Sequence, residues 1–375
     1  MTLHYFCFFV EEGKENEYHG SVAADLKVKY VANAAKAAGF DVKIFALNKT
    51  KTSGTKSTVT TVDGLTVKHI SSRGGKNLFT RIFNRISFYC QIAKYFIRSV
   101  GKGDVILLYH SLRVTPFIAF LKKFARRKVV LEVEEIYACA ADGVKSYLKK
   151  EIKAVKKFDR FIFVNNYIPE DLGVKNENYT ALYGVYEAKE MRKIPHNGVR
   201  VLYAGAVEKL NKGAFKAVET AQYLPSNYSV HIIGKGTDGD EKDLLAKIEN
   251  VNKSLGRTAV CFDGFKTGIE LDEYMYSCDI GLGAYPIKDK YSNYIFPSKL
   301  VGYTCRGLKV VTGRAECYER TPFADNWFFY DSDEPECIAE AIVQAANDTQ
   351  FSGSGAEIIK SLDENFKQRL IELCS

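Results

Sequence analysis

Residues 280–312 read IGLGAYPIKDKYSNYIFPSKLVGYTCRGLKVVT, and the fold is decided in this stretch. Ile280–Ala284 has the character of a buried strand. A long polar and aromatic loop follows, then Phe296-Pro297-Ser298-Lys299 opens a helix predicted over Ser298–Cys305. Arg306-Gly307 ends that helix, and Lys309–Thr312 is a second apolar strand. Strand, helix and strand in this order, with strands apolar at successive positions, describe a parallel unit covered on both faces. Ser298 is placed as an N-cap or first-turn hydroxyl, with Lys299 in the first turn. A lysine is electrostatically misplaced at the positive end of a helix dipole unless an anion shares the site. The plain alternative is an ordinary cap beside an incidental lysine.

The same alternation extends in both directions. Upstream lie strands Val199–Ala204, Tyr228–Ile233 and Ala259–Asp263, with helices Gly213–Tyr223, Lys242–Leu255 and Ile269–Ser277. Downstream lie strand Trp327–Tyr330, helix Pro335–Asn347 and an amphipathic stretch, Ile358–Cys374. The first half repeats the theme. Its strands are Leu3–Val10, Val42–Leu47, Leu65–Ile70, Asp104–Tyr109, Val129–Val133 and Arg160–Val164. Its helices are Val22–Ala38, Asn77–Val100, Val114–Arg127 and Val144–Lys157, with Asn48–Thr61 an exposed loop or hairpin. Between the halves, residues 183–198 are polar and without sustained periodicity, as in a linker. The reading is therefore α/β: two doubly wound Rossmann-like domains, 1–182 and 199–357, facing across a cleft. A last helix, 358–375, is free to return to the first domain. Ligands of such sheets sit outside the carboxyl ends of the strands.

Two further motifs point the same way. In Val201–Gly213 a strand ends in a glycine turn at Gly205, and Lys212-Gly213 opens a helix; ammonium plus orphan helix N–H groups suit phosphate. A solvated lysine beside a cap glycine is the bland reading. Val230–Gly236 ends a strand in Gly234-Lys235-Gly236, where glycine lets backbone approach a ligand or simply turns the chain. It is not the longer dinucleotide fingerprint, since Thr237-Asp238-Gly239-Asp240 follows.

With these residues in view, the chain resembles the GT-B glycosyltransferases. It is most similar to the large retaining family 4 group, which builds bacterial capsule, O-antigen and exopolysaccharide. The resemblance runs through Gly205…Lys212-Gly213, Ile232–Gly236, Phe262-Asp263-Gly264 and Phe296–Gly307, and is weaker over 1–180. It implies a nucleotide-sugar donor, UDP-linked, in the C-terminal domain and an acceptor in the N-terminal domain. Lys212, Lys299 and Ser298 would contact the diphosphate. Gly234 and Gly236 would approach phosphate or sugar, and backbone near Phe262–Gly264 would line the base. His19, Gly20 and Tyr294 would meet acceptor or transferred sugar. Two positions depart from the family. Ala206 stands where an arginine is usual, and Gly302 where a glutamate holds the ribose hydroxyls. Losing that carboxylate costs about 1.5–3 kcal/mol: either a neighbour such as Tyr303 or a loop residue substitutes, or donor binding is weak. The second case favours, as the rival reading, a catalytically impaired accessory or glycan-binding subunit.

Acceptor-side candidates come from the ends of the first sheet's strands. His110 follows one strand and is placed to orient a hydroxyl. Glu134 and Glu135 follow another, and paired carboxylates raise one another's pKa. No cofactor or obligatory metal is expected. Asp238-Gly239-Asp240 has the letters of a metal motif but reads as a solvated glycine turn. Nine scattered cysteines without a C-x-x-C pair read as reduced thiols.

Charge is uneven. Residues 1–190 hold 31 Lys+Arg against 19 Asp+Glu, net +12; residues 191–375 hold 22 against 26, net −4, which sums to +8. Basic residues gather at Lys122, Lys123 and Arg126–Lys128, along Lys145–Lys157, and over Arg73–Lys102. They suit an anionic membrane surface, from which an enzyme reaches a glycan or polyprenyl-diphosphate-linked acceptor. Nucleic acid fits poorly, because the basic residues are not interleaved with an aromatic reading motif. With an acidic N-terminus and no long apolar run, the expectation is a cytoplasmic protein, peripheral at the inner face of the cell membrane.

Overall fold

The computed structural model describes residues 1–51, 56–72, 77–140, 145–189, 192–209, 213–285, 287, 290–351 and 355–375. The chain divides into two compact units: Met1–Val185 with Glu364–Ser375, and Tyr186–Asp363.

In the first unit the elements run β1 (Thr2–Cys7), α1 (Val22–Ala37), β2 (Asp41–Ala46), β3 (Val59–Val62), β4 (Leu65–His69) and α2 (Leu78–Arg98). They continue with β5 (Val105–Tyr109), α3 (Val114–Ala125), β6 (Lys128–Val133), α4 (Tyr137–Ala140) and α5 (Lys145–Val155). β7 (Arg160–Phe163), α6 (Tyr167–Leu172) and β8 (Tyr179–Ala181) follow. The sheet order is β3-β4-β2-β1-β5-β6-β7-β8, parallel throughout except for the β3–β4 hairpin. The central strands are apolar on both faces because helices cover both: Leu3, Tyr5, Phe6, Val105–Leu108 and Val130–Leu131 are buried. β1 stops at Cys7, short of the expected Val10, since Val10 N–H turns aside to the Asp25 carboxylate at 2.9 Å.

The second unit holds β9 (Val199–Ala204), α7 (Gly213–Thr220), β10 (Tyr228–Ile233), α8 (Asp238–Leu255), β11 (Val260–Phe262), α9 (Gly268–Tyr276) and β12 (Ile280–Gly283). Then come α10 (Lys299–Thr304), β13 (Lys309–Gly313), α11 (Glu316–Glu319), β14 (Trp327–Tyr330) and α12 (Pro335–Asn347). The helix α13 (Gly355–Cys374) begins here, and its residues from Glu364 onward belong to the first unit. All six strands are parallel, in the order β11-β10-β9-β12-β13-β14. The direction of winding reverses between β9 and β12. Glycine in β12 lets α10 lie close on the sheet: a Cβ at Gly281 would stand 2.3 Å from the Tyr303 ring. The core is Val201, Val230, Ile232, Ile280, Leu282 and Val311, backed by Ala214, Ala217 and Val218 of α7 and Ile338 and Ile342 of α12.

One assignment changes. Asp238-Gly239-Asp240 is not a loose turn but the first turn of α8, four residues ahead of the expected start at Lys242. The Thr237 hydroxyl caps it by accepting the Asp240 N–H at 3.2 Å, and three acids there complement the dipole. Among the described residues no cluster of three or more His, Cys, Asp or Glu is placed to hold a metal ion, and all nine cysteines are free thiols. Among them, too, no helix is long and apolar enough to cross a membrane.

Candidate functional site

In a doubly wound sheet the crevice opens where the winding reverses, outside the carboxyl ends of the strands. In the second unit that point lies between β9 and β12; the loop leaving β9 carries Gly205, and the loop leaving β12 leads to Lys299, the first residue of α10. The structure brings these residues together: a Cβ built on Gly205 would stand 2.6 Å from Lys299 Nζ. The ammonium lies 4.0 Å from the Tyr203 ring centroid and 4.6 Å from that of Tyr285. Among the described residues no carboxylate pairs with it. Burial pulls its pKa down to about 7. A cation beside two ring faces and a turn that has no side chain, with no carboxylate partner among the described residues, has the charge that an anion would complement.

The β10 loop closes on the same turn. Gly234 has φ +155°, and a Cβ there would come within 1.8 Å of Gly205 O, so the two backbones touch only because residue 234 is glycine. Gly234 N–H donates to Gly264 O at 2.9 Å, Gly205 N–H donates to Ile233 O at 3.0 Å, and Gly236 pairs with Val207. Gly205, Gly234, Gly264 and Lys299 thus form one chain of contacts along the carboxyl edge of the sheet. Phe262 is half-buried against the core just before Gly264. Tyr294 is buried in the loop before α10. Lys212 lies outside the described residues.

Ser298 departs from expectation. Its backbone is already helical, its side chain makes no cap hydrogen bond, and it is exposed. Its carbonyl instead accepts the Gly302 N–H at 3.1 Å. Gly302 faces open space: a Cβ there meets nothing nearer than Arg306 Nη1 at 3.9 Å. Arg306 is held by Asp272 and donates to Gly302 O at 3.0 Å. Tyr203 and Tyr285, which box the lysine, were not singled out from the sequence. The visible signal was a tyrosine two positions before Gly205 and another just before Pro286.

In the first unit the strand ends carry a different chemistry. His110 is buried, with Nδ1 2.9 Å from Thr115 Oγ1 and Nε2 2.8 Å from Glu151 Oε1. Glu151 also accepts the Tyr137 and Ala138 N–H groups, each at 2.9 Å. Both ring nitrogens are therefore occupied in fixing the start of α4, and neither is left for an acceptor hydroxyl. Glu134 is paired, though not with its neighbour Glu135. The Lys27 ammonium, buried on α1, donates to Glu134 Oε2 at 2.5 Å and to Leu182 O at 3.1 Å. The second carboxyl of the pair is Glu132, fully buried in β6, which accepts the Tyr5 hydroxyl. Burial, and then the charge of Glu134, push Glu132 up to about 8 against the pull of Lys27 and Tyr5. Glu132 therefore keeps its proton and shares it with Glu134. Glu135 is half-buried, its pKa raised by burial and then by Glu134 and Glu151. His19 is exposed and fixed through its backbone, its N–H donating to Lys49 O and its carbonyl accepting from Asn48, both at 2.8 Å. Gly20 packs so close to Val10 that a Cβ would stand 2.8 Å from Val10 Cγ2. Asp25 is pushed up to about 6 by burial.

Two doubly wound parallel units, with the second unit's glycine turns and lysine at its switch point, define the GT-B glycosyltransferase fold. Solved structures match over the whole chain. Anabaena HepE in complex with UDP is 13% identical, with a TM-score of 0.66 over 100% of this chain and 97% of that one. Sucrose-phosphate synthase from Thermosynechococcus elongatus is 13% identical at a TM-score of 0.72, covering 100% and 98%. The lipopolysaccharide outer core galactosyltransferase WaaB is 11% identical at 0.66, covering 99% of each. No family model and no curated protein sequence matches the chain.

Proposed function

We propose that this chain is a glycosyltransferase that moves a sugar from a nucleotide-sugar, UDP-linked, to a glycan or polyprenyl-diphosphate-linked acceptor in surface polysaccharide synthesis. The observation that carries the reading is the Lys299 ammonium, unpaired among the described residues, between two tyrosine rings at the switch point of the second sheet. Solved proteins of the same fold hold UDP and UDP-glucose. Breaking a sugar–diphosphate bond builds negative charge on the departing β-phosphate. A cation already in place at that oxygen lowers the barrier more than it stabilises the ground state. One such group supplies roughly 2.7–4 kcal/mol, so Lys299, with Lys212, activates the leaving group without a metal. Ser298, exposed at the start of α10, is free to add a hydroxyl. On the acceptor side Glu135 or Glu134 takes the hydroxyl proton. Glu135 is the more open of the two to this role, because Lys27 and Glu132 already engage Glu134. The basic first unit keeps the protein at the inner face of the membrane.

Calorimetric titration with UDP-sugars tests the donor site. Wild-type protein is expected to bind, and Lys299→Ala to lose at least tenfold in affinity with an unchanged melting temperature. Equal affinity in the two proteins would remove the phosphate role.

Gly302 and Ala206 support a second reading, a subunit that keeps the fold and has lost catalysis. Transfer or hydrolysis of any sugar nucleotide by the purified chain decides against it.

A further inference from the structure

The sequence of α2, LFTRIFNRISFYCQIAKYFIR, contains no acidic residue. Its buried residues, Ile92, Tyr95 and Phe96, all lie in the C-terminal half. Leu78, Phe79, Ile82, Ile86 and Ile97 are instead exposed, at 67, 84, 49, 58 and 57%. Positions 79, 82, 86 and 97 recur at intervals of three, four and eleven, so they fall along one line of the helix. Arg81 and Arg85 border that line on one flank, and Lys94 and Arg98 on the other, all exposed. The neighbouring α3 meets α2 through Tyr89 and Phe117, ring centroids 4.9 Å apart. It repeats the pattern with Phe120 and Phe124 exposed, at 56 and 73%, beside exposed Lys123 and Arg126.

Soluble surfaces rarely leave so long an apolar stripe in water. The charges that rim it select the occupant. Two copies of α2 laid face to face would set like charges against each other along both flanks. An apolar line bordered on both sides by arginine and lysine matches the boundary between anionic headgroups and acyl chains. We propose that α2 lies in that boundary of an anionic bilayer, with Phe79, Ile82 and Ile86 inserted and Arg81, Arg85, Lys94 and Arg98 on the headgroups. This adds apolar insertion to the charge-based docking of the transfer reading, and it holds whether or not the second unit binds a nucleotide.

The test is co-sedimentation of the full chain with vesicles of phosphatidylcholine alone or mixed with phosphatidylglycerol. Binding is expected only to the anionic vesicles, weakening roughly fivefold for each engaged basic residue replaced. Phe79→Asp with Ile82→Asp is expected to lower partitioning at least tenfold without moving the thermal melt. Arg81→Gln with Arg85→Gln is expected to lower it while leaving the apolar stripe intact. Phe79→Trp reports insertion directly, because Trp327 is buried in the other unit and keeps a constant signal. Its emission is expected to shift to the blue and to be quenched by spin-labelled acyl chains. Three outcomes would each overturn the proposal. They are no binding to anionic vesicles at low salt, binding unchanged by the aspartates, and a dimer in solution that those aspartates dissolve.

Discussion

A lysine burdened by burial releases its proton near pH 7, and an anion that needs the ammonium must restore it. The two tyrosine rings favour the charged form and oppose that release without reversing its direction. In the free protein Lys299 is charged below about pH 7 and neutral above it. Affinity for a UDP-sugar, whose bridging phosphates keep constant charge here, is therefore flat below pH 7. It weakens above pH 7, toward tenfold per unit, and binding takes up a proton. Titrations in buffers of different ionisation enthalpy measure that uptake, and a pH-independent affinity would contradict it. Gly302 is the second test at this scale. The space around it is open, so Gly302→Glu fits and also replaces a helical glycine, worth about 1 kcal/mol. If the ribose lies where the resemblance puts it, the new carboxylate raises uridine nucleotide affinity tenfold or more, readable by thermal shift. Unchanged affinity would place the ribose elsewhere.

At the scale of elements, β1, β6 and α1 are tied by Tyr5, Glu132, Glu134 and Lys27. Removing Lys27 leaves Glu134 without its counter-charge beside a second carboxyl. Lys27→Met is expected to cost about 3–5 kcal/mol in denaturant unfolding. Glu132→Gln keeps the shape and removes the titration. Glu132's folded pKa, about 8, lies above its unfolded value of 4.5. The folded state therefore binds the extra proton between those values, and stability falls as pH rises through that window. The glutamine variant loses that slope, so its advantage over wild type grows from pH 5 to pH 8; parallel curves would show that Glu132 is ionised. This network was hard to read in advance, although β6 itself was legible. A glutamate inside the run Lys128–Val133 looks like one polar strand position, and Lys27 looks like a solvated helix residue. Their meaning comes from sheet order, which places β1 and β6 on either side of β5. The strands that alternate with helices were visible because parallel strands are apolar on both faces. The edge strands β3 and β8 were not, being three or four residues long with mixed burial. At the site, Gly205, Gly234 and Lys299 were legible as motifs because backbone closeness demands glycine. The tyrosine box was not, since nothing in local sequence says which ring turns toward an ammonium.

At the scale of the molecule, α13 gives its last residues to the first unit, which is otherwise built from the opening 185 residues. Phe366, Leu370, Leu373 and Cys374 are buried there, with Phe366 stacked on Tyr30 at 5.9 Å. Arg369 donates to the carbonyls of Asn176, Glu177 and Tyr179, at 2.9, 3.3 and 2.8 Å, and so closes the approach to the edge strand β8. Arg160 at the start of β7 donates to Leu373 O at 2.6 Å. A chain ending at Asp363 loses all of these at once. Each large apolar side chain removed from its site costs about 1.5–3 kcal/mol. The first unit should therefore lose at least about 3 kcal/mol, at ~2–4 °C per kcal/mol for a domain of this size. The core of the second unit, around Val201, Ile232 and Ile342, shares none of these contacts and should keep its transition. Scanning calorimetry of the full and shortened chains separates the cases. A first transition lowered by about 6 °C or more beside a stationary second is the expected result. Two unchanged transitions would mean that the terminal helix only rests on the first unit. A joint fall would mean that the units unfold as one.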